Sequence, residues 1–153
     1  MSLTEDTAAL TRLQNYVGKV NAEHGFHDYG DSVKGDPEAL MREHGNAMML
    51  VVGEVGEAHE ELRKGHPVNE TYYNPPQVPY SLVEEVGYTK ALELITADNA
   101  GKLQKPEGVP SEIADIVIRC LDLAARFEFD LGAAVEEKIL YNETRARMHG
   151  KRF

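Results

Sequence analysis

Apolar residues recur at intervals of three and four along most of this chain, which is the spacing of one face of an α-helix. The pattern predicts five helices, over about 5–24, about 37–64, about 82–98, about 111–127 and about 131–148. In the first of them, the inward apolar face is expected at Leu10, Leu13, Tyr16 or Val17, and Val20. Asp36 and Asp130 are typical N-cap residues, and Ser81 with Glu84 has the form of a capping box. Alternating strand patterns are absent, so we predict an all-α fold, a helical bundle of four to five helices.

The second predicted helix divides into an acidic side and an apolar side. Glu54, Glu57 and Glu61 fall on one stripe of the helix. The apolar residues gather almost opposite, at Met48, Val51, Val52, Val55 and Leu62. The simplest interpretation is an amphipathic helix whose acidic side faces water and whose apolar side packs inward. Against it, no lysine separates the acids, and Gly53 and Gly56 each cost about 1 kcal/mol relative to alanine, as expected where a helix or ligand approaches closely.

A second pair of carboxylates lies on the fourth predicted helix. Glu112 and Asp115 are three residues apart, and Arg119 and Asp122 continue their stripe. Most other positions are apolar, so this helix is expected to be central and to offer charges little water-facing surface. If the two acidic pairs face each other, carboxylates about 5 Å apart repel by roughly 3 kcal/mol at an effective dielectric constant near 20. A divalent cation removes this repulsion, and an all-oxygen site without histidine favours Mg²⁺, with Mn²⁺ as the alternative.

Charge and composition narrow the range of partners. The chain has 153 residues, enough for a single domain, and 26 acidic against 16 basic residues give it a formal net charge of -10. Such an acidic protein is unsuited to binding a nucleic-acid polymer, which relies on clustered lysine and arginine. A single cysteine, Cys120, excludes an intrachain disulfide, and no apolar run approaches the length of a membrane span. We therefore expect a cytoplasmic protein without a membrane partner.

The last predicted helix carries the one concentrated basic region of the chain. Its polar stripe, spaced by four, three and four residues, is Lys138, Asn142, Arg145 and His149. Arginine and lysine bind phosphate groups, and asparagine can donate to a base or a ribose. Favourable interaction of cations with the C-terminal end of the helix dipole is the alternative explanation, and it accounts poorly for Lys138 and Asn142.

Taken together, these motifs resemble the MazG-like, all-α nucleoside triphosphate pyrophosphohydrolases. Glu54-x-x-Glu57 and Glu112-x-x-Asp115 are similar to the metal-binding signature of that superfamily. The resemblance continues through residues 105–108 and 115–123, and then through Lys138, Tyr141-Asn142, Arg145 and His149-Gly150-Lys151. It covers about residues 36–64 and 105–152, and it is specific only as a combination of motifs.

The resemblance implies a Mg²⁺-dependent hydrolase that cleaves a ribo- or deoxyribonucleoside triphosphate to the monophosphate and pyrophosphate. By this likeness Glu54, Glu57, Glu112 and Asp115 hold the metal, and Lys138, Asn142 and Arg145 bind the nucleotide. Either Glu54 or Glu57 is expected to act as the catalytic base that activates water. Members of the superfamily assemble as homodimers or homotetramers, so we expect oligomerisation to complete the core and the active site.

The chain departs from the resemblance between its two acidic pairs. Residues 58–111 separate the two pairs, and this connection is longer than the one common in the superfamily. The extra length predicts an insertion at about 65–105 within a single domain spanning 1–153. Three tyrosines of this segment serve either base stacking or ordinary loop anchoring, namely Tyr72, Tyr73 and Tyr80. A phosphoribosyl-ATP pyrophosphatase and a non-catalytic nucleotide- or partner-binding relative remain as alternatives. A ferritin-like di-iron site is disfavoured because neither acidic pair has its Glu-x-x-His form.

Overall fold

The computed structural model describes residues 2–146 and shows a predominantly helical chain, as the sequence predicts. The four long helices are α1 (Leu3–Glu23), α3 (Pro37–Arg63), α6 (Val109–Arg126) and α7 (Leu131–Glu143). Three shorter ones are α2 (Asp28–Ser32), α4 (Tyr80–Val86) and α5 (Tyr88–Asn99). Two strands of two residues each, β1 (Tyr72–Tyr73) and β2 (Pro106–Glu107), pair antiparallel. The all-α class is confirmed, although the described residues form seven helices where four or five were predicted.

Helix starts agree with prediction where a side chain caps them. Asp36 accepts hydrogen bonds from the backbone N–H groups of Glu38 and Ala39, at 3.0 and 3.1 Å, at the start of α3. Asp130 accepts one from the N–H of Ala133 at 3.0 Å, at the start of α7. These N–H groups have no partner within their own helix, so a local aspartate decides where each helix begins.

The helix predicted over about 82–98 is interrupted. Gly87 has a φ of 78°, a left-handed conformation that favours glycine, and it separates α4 from α5. Pro79 precedes α4, and no side chain caps that helix. The predicted capping box of Ser81 and Glu84 is therefore wrong.

The last helix ends earlier than predicted. Its final residue is Glu143, with Thr144 as the C-cap, instead of about Met148. Residues 147–153 lie outside the described part of the chain, so the predicted roles of His149 and Lys151 fall there too. Within residues 2–146, no helix is both long enough and apolar enough to cross a membrane.

The chain divides into two compact units, Met1–Gly56 with Ala114–Phe153, and Glu57–Ile113. In the first unit α7 packs along α1, where Thr7 Oγ1 donates to Glu136 at 2.9 Å and the backbone N–H of Leu131 donates to Gln14 at 3.0 Å. On α6, Leu121 is 1% exposed and is the largest fully buried side chain among the described residues. The core of this unit is therefore small.

The second unit anchors the segment that was predicted as an insertion. The Tyr72 hydroxyl donates to Glu61 Oε2 at 2.8 Å, and the His66 ring stacks on the Tyr72 ring with centroids 4.6 Å apart. The hydrogen bond donated by Lys64, and to a smaller extent that donated by Tyr72, holds the pKa of Glu61 below its usual range. A side chain at Gly108, whose φ is 100°, would lie 2.5 Å from the Glu70 carbonyl oxygen. Tyr72 thus has the anchoring role, and glycine permits the close approach that leads into α6.

Burial on α1 and α3 differs from the expected faces. On α1, Gln14 is buried with Val17, whereas Leu13 and Tyr16 are 46% and 66% exposed. On α3 the acidic side is largely buried, with Glu54 and Glu61 at 8% and 6% exposure. Its apolar residues face outward instead, at Met41, Met48, Val52, Val55 and Leu62. The expectation of a solvated acidic side is wrong for Glu54 and Glu61.

Candidate functional site

A cleft of about 490 Å³ opens between α3 and α6 within the first unit. Glu43 and Glu54 line it from α3, eleven residues apart, and Asp115 and Asp122 line it from α6, seven apart. Both separations are whole numbers of helical turns, so each helix presents its two acids on one face. A volume of this size suits a small-molecule ligand, which typically needs about 300–1,000 Å³.

Three of the four acids in the cleft are matched by cationic or imidazole side chains. Arg119 Nε donates to Glu54 Oε1 at 2.9 Å, the Arg126 guanidinium pairs with Glu43, and His27 Nε2 lies 2.8 Å from Asp122 Oδ1. The Arg126 and Glu43 side chains are only 13% and 11% exposed, and those of His27 and Asp122 only 15% and 13%. These two enclosed pairs hold α3 and the start of α2 against α6.

Asp115 is the fourth acid, and its surroundings differ. Within residues 2–146 it has no hydrogen bond and no ion pair, and its side chain is half-buried. One of its carboxylate oxygens lies within 4.8 Å of one from Glu54. Two such charges repel by about 3.5 kcal/mol at an effective dielectric constant near 20. Asp115 is therefore the carboxylate in the cleft whose charge a bound cation would relieve most.

Glu112 precedes Asp115 by one turn on α6. Its side chain is buried, at 5% exposure. The sequence places both residues on one stripe of the helix, and the backbone of α6 runs unbroken through both. This part of α6 thus presents two carboxylates to the same neighbourhood.

These oxygens fit the donor set of a hard divalent cation. Mg²⁺ binds oxygen at about 2.0–2.1 Å, so two ligands on opposite sides of one ion are about 4.2 Å apart. The 4.8 Å limit on the Glu54 and Asp115 oxygens is close to that separation, so a small side-chain rotation brings both to one ion. Within residues 2–146 no histidine or cysteine joins the group, which favours Mg²⁺ or Mn²⁺ over Zn²⁺.

Glu57 lies outside this group. It follows Glu54 by one turn of α3, and its side chain is exposed, in contrast to that of Glu54. Among the described residues, the structure brings together the carboxylates of Glu54 and Asp115 within the first unit. The assignment of Glu112 as a metal ligand stays a prediction. The assignment of Glu57 as a metal ligand or catalytic base stays a prediction.

The predicted nucleotide ligands Lys138, Asn142 and Arg145 are exposed. Lys138 and Asn142 lie on α7, whereas Arg145 follows its end. The Lys138 ammonium lies 5.4 Å and the Arg145 guanidinium carbon 5.9 Å from the centre of the Tyr141 ring. The structure thus gathers two of the three around one aromatic ring, where cation–π attraction stabilises them. Their contact with a nucleotide stays a prediction.

The cleft contains polar and aromatic residues that sequence reasoning did not select. Phe26 and Tyr29, 65% and 62% exposed, line it from the segment between α1 and α3, and Asn21 and Asn46 add amide groups. Each lies alone in the sequence, so no spacing marks it. Sequence spacing indicated further cleft residues only on α6, where Arg119 and Asp122 continue the stripe of Asp115.

Comparison with protein-family models, characterised proteins and solved structures finds no match to this chain. The case for a function therefore rests on the geometry of the cleft and on the motif resemblance.

Proposed function

We propose that this chain is a Mg²⁺-dependent nucleotide pyrophosphohydrolase that converts a ribo- or deoxyribonucleoside triphosphate to the monophosphate and pyrophosphate. The observation that carries the proposal is the Glu54–Asp115 pair, with oxygens within 4.8 Å in a cleft of ligand size. Glu54 is buried and Asp115 half-buried, and like charges at this separation repel each other unless a cation lies between them. A cation held by carboxylates alone keeps coordination positions for phosphate oxygens.

The cleft contains groups that could serve the phosphates and the base of a nucleotide. Glu54 and Asp115 would hold the divalent ion, with Glu112 proposed as a further ligand from the motif resemblance, and the bound ion would offset phosphate charge and promote ionisation of water. Phe26 and Tyr29 offer ring faces on which a base can stack, and their exposure leaves those faces accessible. The arrangement thus favours a nucleotide over a bare polyphosphate.

The reaction requires a proton acceptor beside the attacking water. As the water oxygen bonds to phosphorus, the α–β anhydride bond breaks and pyrophosphate leaves with the bonding electrons. Glu54 is one proposed acceptor, and Asp115, which has no hydrogen bond within residues 2–146, is a further candidate. Glu57 remains the other proposed base, because its exposed carboxylate lies one turn from Glu54.

The test is a pyrophosphate-release assay with Mg²⁺ over the common and deoxy nucleoside triphosphates. We expect monophosphate and pyrophosphate from at least one of them, with loss of turnover in EDTA and in Asp115→Asn. A folded protein that releases nothing from any triphosphate contradicts the proposal. Turnover of phosphoribosyl-ATP alone would support the related pyrophosphatase, and nucleotide binding without turnover would support the non-catalytic relative.

The cationic groups near the end of α7 provide a second, separable test. Arg145→Ala should raise the KM for the triphosphate and change kcat little, because a phosphate contact outside the reacting atoms contributes mainly to binding. If the kinetics are unchanged, Arg145 has no role in binding the nucleotide, and its favourable interaction with the C-terminal end of the helix dipole is the remaining explanation. Glu143→Gln, a charge change two residues away at the end of α7, is the control.

The outward apolar side of α3 supports self-association. Met41, Met48, Val52 and Val55 are 71%, 55%, 56% and 52% exposed, and their spacing is that of a helix–helix seam. Gly45 continues the seam, and a side chain there would meet nothing within 4 Å. We take a second copy of this chain as the occupant, giving a homodimer or homotetramer.

Sedimentation equilibrium measures this assembly directly. Val52→Glu places a charge in the seam and should shift the protein towards monomer, because burying an unpaired carboxylate is unfavourable. Val68→Glu, at a loop position that is 64% exposed, is the control that adds the same charge elsewhere. A wild-type chain that stays monomeric at tens of micromolar would contradict this assembly.

A further inference from the structure

Arg119 has an unusual position beside the proposed cation site. It lies one turn after Asp115 on α6, and its Nε donates to Glu54 Oε1 at 2.9 Å. Glu54 is one of the two carboxylates in the cleft that a divalent cation would join. A guanidinium and a cation that approach the same carboxylate compete for it.

The exposure of Arg119 separates it from the other arginine in the cleft. The Arg119 side chain is 43% exposed, whereas that of Arg126, paired with Glu43, is only 13% exposed. Within residues 2–146, only Nε of Arg119 has a hydrogen-bond partner, so its two terminal nitrogens face the cleft or water without one. Arg126 is thus enclosed by its contacts, while Arg119 has the freedom to change partner.

We propose that Arg119 is an exchangeable counter-charge: it neutralises Glu54 in the metal-free protein, releases Glu54 when a divalent cation is bound, and then contacts the polyphosphate of the nucleotide. This inference rests on the proposed function, because it needs both a cation at Glu54 and an anionic ligand in the cleft. Its chemistry follows from the guanidinium group, whose fork of N–H donors matches two phosphate oxygens at once. Arg119 acts here as a positioning and binding residue, without a role in proton transfer.

The proposal predicts opposite effects on two ligands. In Arg119→Gln, Mg²⁺ should bind on the order of tenfold more tightly, because a positive charge next to the cation and a competitor for Glu54 are both removed. Inorganic tripolyphosphate, titrated in the presence of saturating Mg²⁺, should bind on the order of tenfold more weakly, because a charged donor pair is lost. A purely structural role for Arg119 would weaken both ligands together.

Isothermal titration calorimetry on the full chain measures both affinities without turnover. Arg119→Lys retains the charge and loses the fork, so its Mg²⁺ affinity should stay near wild type while tripolyphosphate binding falls. Arg42→Gln removes the same charge from an exposed position on α3, where Arg42 pairs with Glu38 at 3.7 Å, and should change neither affinity. Circular dichroism checks that each variant is folded.

The outcomes separate this inference from the function on which it rests. Mg²⁺ affinity that is unchanged or lower in Arg119→Gln overturns the exchange. Unchanged tripolyphosphate affinity overturns the phosphate contact. If the wild-type chain binds Mg²⁺ and turns over a nucleotide, either of those results contradicts only the proposed role of Arg119 and leaves the proposed function standing. A wild-type chain that binds no divalent cation overturns both proposals.

Discussion

Replacing Asp115 by asparagine should stabilise the metal-free protein and abolish its response to Mg²⁺. The carboxylate oxygens of Asp115 and Glu54 lie within 4.8 Å, and Asp115 has no compensating hydrogen bond or ion pair within residues 2–146. Asparagine has nearly the same size and shape and lacks the charge. The substitution therefore removes a repulsion while leaving the packing of α6 unchanged.

The size of the effect follows from Coulomb's law. At 4.8 Å the repulsion is about 3.5 kcal/mol for an effective dielectric constant of 20 and about 0.9 kcal/mol in bulk water. Partial exposure of Asp115 and the positive charge of Arg119 move the value towards the lower end. We expect a gain of about 1 kcal/mol in the free energy of unfolding, which raises the Tm by about 2–4 °C in a chain of this size.

Urea and thermal denaturation in EDTA, repeated with millimolar Mg²⁺, measure both halves of this prediction. Mg²⁺ should raise the Tm of the wild type, since a ligand that binds only the folded state stabilises it, and should leave Asp115→Asn unchanged. Glu84→Gln, at an exposed position on α4, is the control for loss of one negative charge. An Asp115→Asn variant that is less stable than wild type in EDTA would refute the repulsion and assign Asp115 a structural role.

Two further predictions concern packing and pH. Gly18→Ala should destabilise the fold by about 1–2 kcal/mol in urea denaturation, because the new Cβ would lie 2.6 Å from the Ala125 Cβ. The matched Gly53→Ala, also inside a helix and with nothing within 4 Å of the new Cβ, should show no such loss. Acidification should release the loop that Tyr72 anchors to Glu61. The folded-state pKa of Glu61 lies below its usual range, so its carboxylate stabilises the fold above that range. This stabilisation is lost as the pH falls through the folded-state pKa. The expected result is lower protection from hydrogen exchange around Tyr72 at low pH, after correction for the intrinsic pH dependence of exchange, in the wild type and not in Glu61→Gln; pH-independent protection would contradict it.

The features that the sequence predicts well depend on interactions between residues that are close together in the chain. The starts of α3 and α7 depend on Asp36 and Asp130, each of which caps N–H groups within three residues of itself. The all-α class follows from helical periodicity, which is also local. The stripe from Asp115 through Arg119 to Asp122 is a property of a single helix, so the sequence alone indicated that these side chains share a face.

Contacts between distant segments decided the rest. The sequence could assign two sides to α3, but which side is buried depends on the helices that pack against it. Glu54 lies inward because Arg119, 65 residues away in sequence, provides its charge partner. Phe26 and Tyr29 join the cleft only because the chain folds α2 next to α6 through the pairing of His27 with Asp122. Hydrophobic periodicity shows that one face of a helix is apolar. Tertiary structure decides whether that face packs inside the chain or stays exposed for contact with another copy, because burial depends on which surfaces meet.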